Sequence, residues 1–316
     1  MIKKKLTYAA TKGLFLLSAF SFLLSSCSQD EVFEQDSLKD APITVTADVA
    51  DLKTRAGHDA DNLPAKFYLT VTQTEEASQY NYTNVEMTKG NGNNYTPSDN
   101  ILWKDATRTP FVSAYTTADA TFTVQTDQST AENVIASDLL GAVSTTDGDV
   151  TISGNNISVR FRHLLCKLDV TYSWGTEFGD VTKSIKSVEY QGFGTDVTLD
   201  RATATITSGT YTDVISAFVG KTTVGEEEKD MSETIFAPQT GNPQIVITAL
   251  IDDVERIFSL NVTVPTDGFV SGNRYTMNVT IGGTATQTGE MKISKGWETG
   301  DANGEEEGTN GNMETN

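Results

Sequence analysis

The sequence predicts an all-β protein made of β-sandwiches, and three of its features predict this fold class. Apolar and polar residues alternate in many short runs, of which Ile43 to Val49 is the most regular. Breaks rich in glycine and asparagine, such as Lys89–Asn94 and Ser153–Asn156, separate the runs as hairpin turns separate strands. No long stretch keeps the 3.6-residue period of an amphipathic helix. Many short strands with frequent turns favour sheet packed on sheet.

The N-terminal segment has the three parts of a bacterial export signal. Lysines at positions 3, 4, 5 and 12 precede an apolar run, which closes with Leu24-Ser25-Ser26-Cys27. This ending resembles the lipobox of bacterial lipoproteins, which implies that residues 1–26 are a signal peptide and that Cys27 becomes the first residue, acylated with palmitate. The alternative is an ordinary secretory signal with a chance cysteine. A spanning helix is disfavoured, because the apolar run is too short for a bilayer core.

Polar, acidic segments flank the predicted folded part of the chain. Residues 27–41 are predicted to form a flexible tether, and residues 299–316 a disordered, low-complexity tail. Acidic residues directly after a lipobox cysteine also resemble the surface-export signal of lipoproteins in gut and oral anaerobes.

The charge of the chain limits its partners. The 316 residues include 23 basic and 43 acidic ones, which gives a net charge of −20. Four of the basic residues lie in the predicted signal, so the exported chain is more acidic still. Phosphate binding needs clustered Lys and Arg, so nucleic acid is excluded as a partner. An acidic, self-repelling surface suits an extracellular protein.

The predicted strands follow one another along the whole middle of the chain. Each alternates apolar and polar residues, and the abundant Thr and Val suit a pleated sheet. The runs are Ile43–Val49, Phe67–Val71, Phe122–Val124, Val150–Ile152, Ile157–Phe161, Val197–Leu199, Phe258–Val264, Tyr275–Ile281 and Met291–Trp297. Residues 129–142 are compatible with one short helix.

A change of parity divides these strands into two predicted domains. Val159 and Phe161 are apolar at odd positions, whereas Leu164, Cys166 and Leu168 are apolar at even ones. A strand that changes its buried face needs a bulge or passes from one core to another. We therefore predict an N-terminal sandwich at residues 42–157 and a C-terminal sandwich at residues 158–298, with their junction near His163-Leu164.

Sequence motifs for catalysis or metal binding are missing. The chain has no G-x-S-x-G, H-E-x-x-H, paired C-x-x-C or Walker sequence, and only two histidines. His58–Asn62 weakly resembles a calcium loop but lacks its glycine and its distal glutamate. We predict neither enzymatic activity, nor a cofactor, nor a metal site. If Cys27 carries lipid, Cys166 has no disulfide partner and is predicted to be a buried small hydrophobe, and His163 a hydrogen-bonded structural histidine.

Several segments, taken in their order, resemble the fimbrillin family, the lipoprotein pilins and fimbrial accessory subunits of gut and oral anaerobes. Besides the lipobox, the resemblance rests on four segments. They are the early strand running into Leu52-Lys53-Thr54-Arg55-Ala56-Gly57, Leu102-Trp103-Lys104 followed by Pro110–Tyr115, Val159–Leu168, and the ending Tyr275-x-Met277-x-Val279 with Ile293–Trp297.

This resemblance implies two transthyretin-like Greek-key β-sandwiches in tandem and assembly by strand exchange with other fimbrial subunits. It implies cleavage by an arginine-specific protease at Arg55-Ala56, which removes the early strand and opens a groove for a neighbour's C-terminal strand. The candidate anchors of such a donor strand are Met291, Ile293 and Trp297. The implied location is the outer membrane surface, through the N-terminal lipid, and then the fimbrium, where host or bacterial surface receptors are possible partners.

Two other functions stay open at this stage. A glycan-binding surface lipoprotein of a polysaccharide-uptake system would also have a lipobox, a tether and β-sandwiches, and would stack sugars on Trp103, Trp174 or Trp297. A surface hydrolase would need two placed carboxylates, which nothing in the sequence singles out. Within the fimbrial hypothesis, shaft, tip and anchor roles are not separated. The acidic tail after Trp297 argues against a shaft subunit, because a donated strand needs alternating apolar anchors.

Overall fold

The computed structural model describes residues 38–50, 57–105, 109–209, 211, 213–224, 227–282, 286–288, 291–295 and 297. Within these residues the protein is mostly β, with twenty-one strands and a single short α-helix. The predicted all-β fold class is confirmed at this level. The predicted signal peptide, Cys27, Arg55, Ala56 and the acidic tail lie outside the described residues.

The first nine strands form one sheet, apart from β6. Their bounds are β1 (Thr44–Val49), β2 (Lys66–Thr72), β3 (Tyr82–Lys89), β4 (Asn94–Pro97), β5 (Phe111–Tyr115), β6 (Thr121–Thr123), β7 (Leu140–Val143), β8 (Val150–Ser153) and β9 (Asn156–His163). The strand order is β1-β4-β3-β2-β5-β7-β9-β8, and β1 also pairs with β9. Because β1 pairs with β4 on one side and with β9 on the other, the sheet closes on itself around a core that includes Phe67, Tyr95 and Phe161.

The remaining strands form the C-terminal half. They are β10 (Cys166–Trp174), β11 (Lys183–Phe193), β12 (Asp196–Asp200), β13 (Thr205–Ser208), β14 (Asp213–Ser216), β15 (Phe218–Val224), β16 (Glu227–Phe236), β17 (Gln244–Ile251), β18 (Val254–Asn261), β19 (Asn273–Ile281), β20 (Thr286–Thr288) and β21 (Lys292–Lys295).

Two sheets of the C-terminal half enclose a second core. One has the order β15-β16-β10-β19-β20, with β21 also paired to β19, and the other has the order β14-β11-β17-β18. Alternate residues of both sheets are buried together, among them Leu168, Val188, Ile247 and Met277. A two-residue turn joins β17 to β18, and Asp252 and Asp253 adopt φ values of 51° and 61° there, as a hairpin turn of this kind requires.

A third cluster lies where the two halves meet. The small sheet β13-β12-β6 pairs a strand of the N-terminal half with a hairpin of the C-terminal half. Its cluster includes Tyr115 and Val134 from the first half, Leu199 and Ile235 from the second, and Trp297. The predicted short helix is confirmed as α1 (Ala131–Ala136), with the Thr130 side chain capping its N-terminus.

The change of parity at His163-Leu164 does mark a passage between cores. Ile157, Val159 and Phe161 lie in the first core, Leu164 and Leu165 in the junction cluster, and Cys166 onwards in the second core. The predicted boundary after residue 157 falls inside β9, whose pairing partners β1, β7 and β8 all belong to the first sheet. We propose that the division lies at Leu164-Leu165 instead. Among the described residues, no helix is both long and apolar enough to cross a membrane.

Candidate functional site

Strand β1 closes the N-terminal sheet by lying between two neighbours. It runs parallel to β9, with six paired positions from Thr44↔Asn156 to Val49↔Phe161, and antiparallel to β4 through Val45↔Tyr95 and Thr46↔Asn94. Parallel neighbours need a long connection, so β1 reaches β9 only through most of the N-terminal half. It is therefore an inserted strand at the end of the chain rather than one arm of a hairpin.

The inward side chains of β1, together with Ile43 directly before it, fill the first core. Ile43, Val45, Ala47 and Val49 each have 3% or less of their surface exposed. They pack in the cluster that contains Phe67, whose ring stands edge-on to Tyr95 at 4.8 Å and to Phe161 at 5.1 Å. Taking four buried aliphatic side chains out of this core leaves an apolar slot between the edges of β4 and β9. We name this space the β1 slot.

Polar groups at the start of β1 hold the strand mainly through its backbone. The Thr44 N–H donates to the Asn155 carbonyl oxygen at 2.9 Å, and the Asn155 amide donates to the Pro42 carbonyl oxygen at 3.1 Å. The indole N–H of Trp103 also donates to the Asn155 carbonyl oxygen, at 3.1 Å. Backbone contacts of this kind accept almost any outward side chain.

The last strand lies in the C-terminal half. β20 and β21 pair with the same strand, β19, through Ile281↔Thr286 and Tyr275↔Ile293 among other positions. Met291 is 2% exposed in the second core, and Ile293 packs against that core. Trp297 is fully buried in the junction cluster. All three candidate donor anchors therefore lie in the chain's own fold.

Trp297 is held by a stack of side chains at the junction. Its ring lies parallel to that of His163, with 3.8 Å between centroids and 9° between planes. The Nδ1 atom of His163 is 2.8 Å from Oδ1 of Asp138, whose Oδ2 accepts the backbone N–H of His58 at 2.8 Å. His163 is thus a buried, hydrogen-bonded histidine, as predicted. The Asp138 carboxylate thus joins His58 to His163, whose ring stacks on Trp297.

Burial and partners set the ionisation of Asp138. Burial disfavours its charged form, but the charge and hydrogen bond of His163 and the backbone N–H of His58 outweigh this. As a result, the pKa of Asp138 lies below its ordinary value of 3.8. The carboxylate is charged at neutral pH, although it is fully enclosed.

Buried charges also lie close to the Trp297 ring. The Lys167 ammonium is 5.7 Å from the centroid of the ring and 3.3 Å from Oε2 of Glu233. Asp169 Oδ1 is 3.8 Å from the same ammonium, while its Oδ2 accepts a hydrogen bond from Nε of Arg274 at 2.6 Å and lies 2.5 Å from Nη2 of that residue. Burial raises the pKa of Glu233, and Lys167 opposes that shift.

Two further side chains cross the junction. The buried Gln128 amide donates to the Ile235 carbonyl oxygen at 2.7 Å and accepts the Ile235 N–H at 2.8 Å, so it pairs with β16 as a strand would. The guanidinium of Arg201 lies 4.5 Å from the centroid of the Tyr115 ring and donates to Asn84 at 2.8 Å. Burial raises the pKa of Tyr115 to about 12.

The other residues that the sequence singled out have structural positions. Asp59 uses its Oδ1 to accept the N–H groups of Asp61 and Asn62, at 2.9 and 2.8 Å, which makes a local turn. Within the described part of the chain, no group of three or more His, Cys, Asp or Glu is placed to hold a metal. Cys166 is buried, and burial raises the pKa of its thiol well above the ordinary value.

The three tryptophans all pack inward. Trp103 is 3% exposed in the first core and Trp297 is fully buried at the junction. Trp174 is partly exposed, but it packs against the second core and meets Phe178 edge-on at 5.9 Å. None of the three forms a free aromatic platform of the kind that stacks sugars.

Sequence reasoning missed Asp138, Gln128, Arg201 and Glu233. Their partners are far away along the chain, and each looks like an ordinary surface residue in its own segment. Asp138 lies inside residues 129–142, the segment predicted to hold a short helix, whereas the structure ends α1 at Ala136 and leaves Asp138 beyond it.

These features define a β-rich protein with two cores enclosed by sheets. Its first strand closes the N-terminal sheet, and a third cluster of buried residues joins the two halves. The profile of the family described as fimbrillin-like matches residues 54–297. Because this match spans most of the chain, the protein belongs to the fimbrillin-like family. A comparison with curated proteins finds no match.

Solved structures give the same picture of the fold. A protein from Bacteroides ovatus, provisionally described as a cell adhesion protein, superposes with a TM-score of 0.60 at 16% identity, over 81% of this chain and 98% of that one. A similarly described protein from Bacteroides uniformis gives 0.54 at 18% identity, over 81% and 98%. The tip fimbrial protein Mfa3 of Porphyromonas gingivalis gives 0.47 at 8% identity, over 80% and 99%. At these identities the likeness to the two Bacteroides proteins shows the fold alone.

Proposed function

We propose that this chain is a structural or accessory subunit of cell-surface fimbriae, which assembles by β-strand exchange and contributes to adhesion rather than catalysis. Two lines of support are membership of the fimbrillin-like family and the likeness to structures provisionally assigned to cell adhesion. In this proposal the two cores belong to tandem transthyretin-like Greek-key sandwiches, and Cys27 anchors the precursor in the outer membrane.

The position of β1 carries the proposal. It is the first described strand, it is not part of a hairpin, and it is bounded on both sides by strands that come later in the chain. A sheet that loses such a strand exposes two rows of backbone N–H and C=O groups and an apolar slot between them. A strand from another subunit satisfies the backbone groups and fills the slot together.

The proposed cleavage at Arg55-Ala56 lies between β1 and the next described residue, Gly57. Past that point, the backbone N–H of His58 is bound to Asp138, which fixes the chain after the cut. Proteolysis there would release residues 27–55 with the lipid and leave the rest of the fold connected. Exposed loops are the segments that proteases reach most readily.

Mass spectrometry of the protein from its native cell surface tests this proposal, because it reports lipidation and proteolysis together. We expect an N-terminus at Ala56 without acyl chains in the fimbrial fraction, and acylated Cys27 in the precursor. If the protein starts at acylated Cys27 in every fraction while the matching protease is present, a permanently anchored lipoprotein replaces the strand-exchange subunit.

A further inference from the structure

The first and last strands of the fold differ in the side chains that they could insert into a neighbouring subunit. β1 turns small and branched aliphatic side chains into the first core, whereas the last strand, β21, is followed by Trp297, which is buried in the junction cluster. We propose that the β1 slot accepts a strand from a different protein and not from a second copy of this chain, so that this subunit ends a polymer. This inference rests on the proposed strand exchange and adds the identity of the partner.

The slot selects its occupant by the size of four inward side chains. From first to last these are Ile43, Val45, Ala47 and Val49, which are 3%, 2%, 1% and 3% exposed. A core packed to this degree tolerates branched aliphatic residues at the first, second and fourth places and only a small side chain at the third. The partner's strand should therefore carry seven residues that correspond to positions 43–49. Its first, third and seventh residues should be branched and aliphatic, its fifth should be small, and the three residues between them are unrestricted.

The C-terminal strand of this chain does not have that pattern. Alternate positions of residues 286–299 never supply four apolar side chains in a row. The nearest set is Met291, Ile293, Lys295 and Trp297, which would put Lys295 at the place of Ala47 and Trp297 at the place of Val49. A lysine ammonium enclosed among aliphatic side chains without a carboxylate is strongly disfavoured, and an indole overfills a valine site.

The packing of Trp297 is a second and independent reason. To donate this strand, the chain would first have to withdraw Met291 from the second core and Trp297 from the junction cluster, where its ring stacks on His163. It would also break the pairing of β21 with β19, which spans Thr276↔Lys292 to Asn273↔Lys295. The strand that a neighbour would need is therefore in use by the subunit itself.

A peptide-binding experiment tests the proposal. The full-length chain receives a specific protease sequence between Arg55 and Ala56, is cut, and is titrated with fluorescent peptides while anisotropy and co-elution are followed. Four peptides are compared: residues 42–50, the same peptide with Ala47→Lys, residues 286–298, and that peptide with Lys295→Ala and Trp297→Val.

We expect the peptide of residues 42–50 to bind. We expect its Ala47→Lys variant and the natural C-terminal peptide to bind about 100-fold more weakly or worse, because each buries an unpaired ammonium. The Lys295→Ala, Trp297→Val peptide should regain at least about tenfold of that loss, because it removes the charge and the overfilling.

Binding of the natural C-terminal peptide within tenfold of residues 42–50 would overturn the inference and make this chain a donor to its own kind. A different result bears on the underlying mechanism: if even residues 42–50 do not bind the cut chain, the slot does not open, and strand exchange itself is wrong.

Discussion

The first strand and the last strand of this protein are both terminal, and they are held in opposite ways. β1 is held by backbone pairing on both sides and by four aliphatic side chains of modest size. The last strand pairs with β19 and is followed by Trp297, which stacks on His163 and lies 5.7 Å from the Lys167 ammonium. We expect that a strand of the first kind can be replaced by another with the same pattern, whereas the second kind depends on one residue.

The replacement of Trp297 gives the largest expected effect. Trp297→Ala should lower the free energy of unfolding by about 3–5 kcal/mol, because a fully buried aromatic side chain leaves a cavity in the junction cluster. Denaturant unfolding followed by circular dichroism measures it. Trp174→Ala is the matched control at a partly exposed site and should cost less than half as much. Equal losses would show that Trp297 has no special place at the junction.

The next largest effect on stability is expected from the buried ion pair of Lys167 and Glu233. Glu233→Ala should cost about 3 kcal/mol, because it takes away the carboxylate 3.3 Å from the buried Lys167 ammonium. Glu233→Leu combined with Lys167→Met should recover most of that loss, since the buried charges are removed together. A double variant as unstable as the single one would mean that packing, not charge, determines stability here.

The ionisation of Asp138 makes the stability of the fold depend on pH. Its pKa is lowered in the folded state, so its charged form stabilises the fold above the unfolded value of 3.8, and this contribution disappears as the pH falls through the lower folded value. Asp138→Asn should cost about 2 kcal/mol at neutral pH and flatten the loss of stability below about pH 4.

Stability against pH, measured by denaturant unfolding from about pH 2 to 7, checks this. Asp99→Asn at an exposed position is the control and should keep the acid dependence of the natural chain. If the stability of Asp138→Asn falls below about pH 4 as steeply as that of the natural chain, the charged Asp138 carboxylate does not stabilise the fold through His58 and His163.

The smallest effect on stability is expected from deleting the acidic tail that follows the last strand. Deleting residues 299–316 should change the free energy of unfolding by less than about 0.5 kcal/mol, because Trp297 already anchors the C-terminus in the junction cluster. A loss of soluble protein after this deletion would show that the acidic tail is part of the fold.

The sequence was informative wherever a pattern is local. Alternation predicted β1 and β21 to within one or two residues, and the parity change at His163-Leu164 predicted the passage between cores. It could not predict that β1 pairs in parallel with β9, because alternation describes which face is buried and not which strand lies alongside.

The junction was beyond local patterns for a similar reason. Gln128 meets Ile235, Arg201 meets Tyr115, and Lys167 meets Glu233, and each pair is joined by the fold rather than by sequence spacing. Polar residues in acidic surroundings read as surface until their partners are known. Trp297 was identified as a candidate donor anchor because it follows apolar Ile293 in alternation, but alternation does not say whose core it fills.

A disulfide between β1 and β9 tests whether β1 must leave the sheet for the subunit to assemble. Thr46 and Ser158 are paired positions of β1 and β9, so Thr46→Cys with Ser158→Cys should form a disulfide that keeps β1 in place after cleavage. The matched control pairs Ser158→Cys with Thr151→Cys, which ties β9 to β8 and leaves β1 free. If strand exchange is correct, the chain with the β1–β9 disulfide does not enter the fimbrial fraction of native cells. The chain with the β8–β9 disulfide and the reduced form of either variant enter it normally. Normal entry of the chain with β1 locked in place would contradict assembly by strand exchange.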